Sequence, residues 1–146
     1  MDLSRLKWPV IILVVVGVAW LLSSGGVNFM VNHYTKAVPG QDTAKDKSDE
    51  AGLSRLGGFQ LMLFRYENAA AILQVAMDRY GTAGANYWNN HYRMAKVYDR
   101  LGQYQASYNV LQQLIAANAS QYDKRVPDNS NLTLRASKLR EVHELR

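Results

Sequence analysis

The chain contains no cysteine. Disulfides, a thiol nucleophile, a lipoprotein anchor and a cysteine zinc site are all excluded, while compartment is left open. Histidine is scarce: His33, His91 and His143 fall in separate segments with no HExxH spacing. No metal site is expected from them. There is no Walker loop, no GxGxxG and no nucleophile motif, so neither an enzyme nor a cofactor is expected. No apolar/polar alternation runs long enough for a convincing strand. The 17 basic residues exceed the 12 acidic ones only modestly, and they are interspersed through the second half. That pattern reads as a solvated surface, with no nucleic-acid partner expected.

Charge is also missing from one long stretch. Between Lys7 and Lys36 there is no Asp, Glu, Lys or Arg, and residues 10–22 read VIILVVVGVAWLL. A helix from Trp8 to Met30 would be about 34 Å long, enough to cross a hydrocarbon core. Pro9 suits a first helical turn, where its missing N–H costs nothing. Ser23-Ser24-Gly25-Gly26 weakens the far end, so the helix either continues through VNFMV or frays there. A cleaved signal peptide and a retained anchor both fit this pattern. A buried helix of a soluble core fits poorly, because so long a charge-free run is rare in a small domain. The expectation carried forward is a flank at 1–7 and a single transmembrane helix at 8–31. Arg5 and Lys7 lie closer to the span than Lys36, Lys45 and Lys47 do. Those nearest charges favour a cytoplasmic N-terminus. The bulk of the chain is then expected on the extracytoplasmic, periplasmic side of a bacterial inner or plasma membrane.

Residues 32–52 form a polar linker that includes Pro39-Gly40 and ends flexible or weakly helical. Beyond it the chain reads as all-α. Helices are expected over Leu53–Phe64, Glu67–Tyr80, Tyr87–Arg100 and Tyr104–Ala117. The Asp78-Arg79-Tyr80 sequence reads as the end of an ordinary helix. A fifth helix, Asp128–Arg146, opens on cap-type residues and carries Leu132, Ala136, Leu139, Val142 and Leu145 at helical spacing. Short loops imply antiparallel neighbours. In the turn Leu101-Gly102-Gln103-Tyr104, glycine suits a left-handed helix stop, and the tyrosine is expected to wedge between the two helices it joins.

The same hairpin recurs upstream. Tyr66 aligns with Tyr104, Ala69 with Ser107, Leu73 with Leu111 and Ala76 with Leu114, with the tyrosines 38 residues apart. A repeat of roughly 34 residues with about four inserted in GTAGAN gives that spacing. At Met94, Ala95, Tyr98, Gly102, Tyr104, Ser107 and Leu111, and at Leu56, Gly57, Tyr66, Ala69, Leu73 and Ala76, the chain resembles the tetratricopeptide repeat family. It departs from the family pattern in three ways: neither copy has the closing proline, Gln60 stands where a first-helix tyrosine belongs, and Ser107 replaces an alanine. The resemblance implies two helical hairpins over 53–122, with a linker and C-terminal capping helix over 123–146.

It also implies binding work. First helices of such hairpins line a groove, which points to Asn89, Tyr92, Lys96 and Asp99. The apolar end of the first hairpin, with Phe59, Leu61, Met62 and Phe64, would be left bare in a two-repeat stack. The expected role is a protein–protein interaction module: a scaffold or accessory subunit of a membrane complex, touching protein partners and, through 8–31, the lipid bilayer. A membrane-anchored assembly chaperone or translocation accessory is the alternative.

Overall fold

The structure, a computed structural model, describes residues 3–146, with side chains from Lys7 onward. Met1, Asp2 and the Arg5 side chain of the expected flank lie outside the described residues. Among the described residues there are seven α-helices, two short 3-10 turns and no strand. They fall into two units, one ending at Lys36 and one spanning Ala37–Arg146.

The first unit holds α1 (Leu3–Leu22) and α2 (Ser24–Thr35). The continuous helix expected over 8–31 is not what forms. The chain bends by 70° at Ser23, and no single helix is long and apolar enough to cross a membrane. Only Lys7–Leu22 and Ser24–Thr35 taken together have the length and composition to do so. The Ser-Ser-Gly-Gly sequence explains the break. Ser23 takes an extended backbone, and its hydroxyl accepts the Gly26 N–H at 3.3 Å, which starts a new helix. Gly26 permits the bend, because a Cβ there would lie 2.3 Å from the Trp20 carbonyl oxygen. The Trp20 and Phe29 rings pack across the bend at 5.8 Å. Gly26→Ala is therefore expected to open the angle between α1 and α2. Spin-label distances between positions 13 and 32 should change; an unaltered distribution would show that the glycine is not what sets the bend.

The second unit holds α3 (Thr43–Met62), α4 (Tyr66–Tyr80), α5 (Tyr87–Arg100), α6 (Tyr104–Ala116) and α7 (Asn129–His143), each packed on the next. The polar linker is shorter than the expected 32–52, because α3 starts ten residues before Leu53. Asp42 starts it: its carboxylate accepts the N–H groups of Ala44 and Lys45 at 3.0 and 3.1 Å. Asp128 caps α7 in the same way, accepting the Asn131 N–H at 2.9 Å.

The turns of the two hairpins close with matching backbone hydrogen bonds. At the end of α3, Phe64 N–H donates to Leu61 C=O and Arg65 N–H to Gln60 C=O. At the end of α5, Gly102 N–H donates to Asp99 C=O and Gln103 N–H to Tyr98 C=O. Both are the double-bonded helix stop that needs a left-handed residue after the cap. Phe64 (φ 59°) and Gly102 (φ 72°) fill that position.

Two cores result. Leu73 is fully buried with Ala69, Met77, Met94 and Val97 around it. Leu111 and Leu114 are fully buried with Ala95, Val110, Leu132 and Ala136. Small residues let the helices close up: a Cβ on Gly57 would meet Leu73 Cδ2 at 2.6 Å, and Ser107, fully buried, donates to the Ala95 carbonyl at 2.8 Å. Gln60 is also fully buried, and neither amide atom has a partner.

Tyr104 does not wedge α5 against α6 as the sequence suggested. Its ring stacks on His143 of α7, centroids 3.5 Å apart and nearly parallel. The aromatic of the second turn thus fastens the capping helix. In the first hairpin, Tyr66 instead packs against the core around Leu73, Met94 and Val97 and lies edge-on to Phe64.

Candidate functional site

Three features of the second unit carry chemistry. The first is the turn between α3 and α4. Met62 and Phe64 are each 75% exposed, and Phe59 is exposed beside them. Leu61, expected in the same bare patch, is half-buried and packs against the Leu73 core. The corresponding turn of the second hairpin carries Arg100, Gly102 and Gln103 instead. The matching turn is thus closed by a polar, glycine-bearing sequence, yet here the same left-handed position holds an aromatic that the backbone region disfavours. A left-handed bulky residue costs about 1–2 kcal/mol, and such strain tends to collect at working sites.

The second is the face of α5. Of the four expected groove residues, Asn89 is buried and presents little to a ligand. The other three come together around a residue that sequence reasoning missed. Arg135 of α7 forms an ion pair with Asp99 and donates to Tyr92 Oη at 3.3 Å. Lys96 Nζ sits 4.5 Å from the Tyr92 ring centroid, on its face. The capping helix thus occupies part of the expected groove. Nothing in the spacing of Arg135 along the fifth helix marks it as reaching α5.

His91 lies on the same helix among aromatic rings, with Tyr87 at 5.7 Å and Trp88 at 6.4 Å. Desolvation holds its pKa below the ordinary 6.5, with a hydrogen bond to the Gln113 side chain opposing in part. Above about pH 6.5 the group is neutral whether folded or unfolded, so its contribution is flat. Below that the unfolded chain takes up the proton first. Stability is expected to fall until the folded imidazole also protonates, and then to level. Urea melts of the full chain across this window should show the slope, and His91→Gln should flatten it.

The third is a cavity of about 580 Å³ at the open end of the first hairpin. α3 supplies Asp46, Lys47 and Glu50, α4 supplies Arg79 and Tyr80, and Pro39 closes it from the preceding segment. That segment is fastened at two points. Arg79 donates to the Ala37 carbonyl, and Gly40 N–H donates to Asp46 Oδ2 at 2.8 Å. Glu50 accepts from Asn86 N–H and Nδ2 at 2.9 and 2.7 Å, holding the start of α5. Two donors remain: Arg79 Nε and Tyr80 Oη are buried with no hydrogen-bond partner. Sequence reading passed over both residues as a helix end. Their position across from a polar stretch of α3 shows only once the hairpin closes.

Among the described residues no cluster of His, Asp or Glu could hold a metal ion. No family model, curated protein or solved structure matches the chain.

Proposed function

We propose that the chain is a membrane-anchored protein–protein interaction module, a scaffold or accessory subunit built on a short tetratricopeptide-like array. One observation carries the binding role: an exposed, left-handed Phe64 beside exposed Met62 and Phe59, in a turn whose twin is served by Gly102. An apolar surface with a strained aromatic at its tip is better accounted for by a partner than by folding. The all-helical architecture with two matching hairpins supports the repeat reading. The anchor reading is supported by α1, where Trp8, Leu13 and Val16 are 71%, 74% and 61% exposed, and by the uncharged stretch around them. Anchoring confines the array to a surface, which raises its effective concentration towards a membrane-bound partner.

The test is a photo-crosslinking amino acid at position 62, activated in intact membranes before mild detergent extraction. A single polypeptide retained in constant proportion is the expected result. A changing assortment of weakly held adducts would favour the assembly chaperone, and no adduct at all would remove the proposal.

A further inference from the structure

The cavity below Pro39 is assigned a ligand by its unmet donors and its balanced charge. We propose that it binds a zwitterionic phospholipid headgroup of the ethanolamine class, a phosphodiester beside a primary ammonium. The inference rests on the anchored reading given above.

Three observations lead there. Arg79 Nε–H and Tyr80 O–H come from adjacent residues, and both are buried without an acceptor. Leaving two such donors unmet is unfavourable, so the site calls for an oxygen-rich acceptor. Lys47, exposed on the same wall, adds a second cation. Opposite in charge, Asp46 and Glu50 also line the cavity, and their existing bonds come from neutral N–H groups. A carboxylate has roughly four lone-pair positions, so each retains capacity for another donor. The lining therefore holds two cations and two anions. A simple anion would meet the carboxylates, and a simple cation would meet Arg79 and Lys47. A ligand carrying both signs a few bonds apart satisfies all four, with the phosphodiester on Arg79, Tyr80 and Lys47 and the ammonium on Asp46 and Glu50. A quaternary ammonium cannot donate hydrogen bonds to the carboxylates, which separates ethanolamine from choline lipids.

Sequence places such a lipid within reach. Three residues, Lys36 to Val38, separate Thr35, the end of α2, from Pro39 on the cavity wall. The four Cα–Cα steps, fully extended, span at most about 14 Å, which is the longest tether the chain allows between an anchored α2 and the cavity.

The test uses the full chain in nanodiscs containing equal parts of phosphatidylcholine, phosphatidylethanolamine and phosphatidylglycerol, followed by native mass spectrometry of the lipids that remain bound. Phosphatidylethanolamine should be retained over both others. Tyr80→Phe, which keeps the ring, should reduce that retention by about tenfold or more. Asp46→Asn should erase the preference over phosphatidylglycerol. Equal retention of the three lipids, preference for phosphatidylglycerol, or a Tyr80→Phe variant that behaves as wild type would overturn the inference. So would displacement of the lipid by dilute soluble phosphoethanolamine, which would assign the site to a free phosphate compound. Vesicle flotation reads the anchoring separately. A chain that floats but shows no headgroup preference sinks the cavity proposal alone, whereas a chain that does not float sinks the anchoring and the inference with it.

Discussion

Leu73→Ala is expected to lower the stability of the helical unit by about 2–5 kcal/mol, the range for emptying a fully buried leucine site. Leu73 is wholly inaccessible, and Gly57 of α3 faces its branch. A Cβ on Gly57 would lie 2.6 Å from Leu73 Cδ2 and 2.7 Å from Cγ. The leucine has little room to turn away, since Ala69, Met77, Met94 and Val97 enclose it. Gly57→Ala alone should therefore cost about 1–3 kcal/mol by overpacking. Combined with Leu73→Ala, the new methyl group enters the space left behind. The double variant should be more stable than the sum of the single changes predicts, with a coupling of about 0.5–3 kcal/mol. Urea denaturation of the full chain in detergent, followed by circular dichroism, gives all four values. Strict additivity would mean that the close approach of α3 and α4 is not governed by this pair.

Phe64→Gly should move stability and binding in opposite directions. Glycine adopts the left-handed region without penalty, so the variant should gain about 1–2 kcal/mol, less about 0.4–1 kcal/mol for greater freedom when unfolded. The same change removes a ring that is 75% exposed, and crosslinking from position 62 should fall sharply. Few core-directed substitutions produce that pair of effects. A destabilised Phe64→Gly protein would show that the Phe64–Tyr66 edge contact, with centroids 6.3 Å apart, holds the turn in place. A stabilised variant with undiminished crosslinking would relieve the ring of any binding role.

The elements that sequence periodicity marked best were those bounded by punctuation. Gly102 ended α5 where expected, and Asp128 opened α7. The start of α3 was not legible in the same way. Residues 43–52 lack an apolar stripe, and α3 buries Asp49, Glu50 and Ser54 instead. Glu50 is matched by Asn86, and Ser54 donates to Asn90 Oδ1 at 2.6 Å. A helix face that buries polar groups against distant partners has no local hydrophobic signature. The break at Ser23 was visible as a weak point, but the direction of the chain beyond it depends on Gly26 approaching a carbonyl, a contact between residues that composition does not reveal. Tyr92, Lys96 and Asp99 share one face of α5 by their spacing, but the Arg135 that contacts Tyr92 and Asp99 comes from another helix and was not legible. Arg79 and Tyr80 escaped notice because a donor is unmet only with respect to its folded surroundings.

The second core draws on residues far apart in the order of synthesis. Ala95, Leu111 and Leu114 share it with Leu132 and Ala136 of α7, and the Tyr104 ring waits for His143. At about 5–20 residues per second, the middle of a nascent chain spends seconds with its greasy flank unmatched. An interval of that kind is one in which a ribosome-associated factor or an early-arriving partner could intervene, and trimming the last helix would make it permanent.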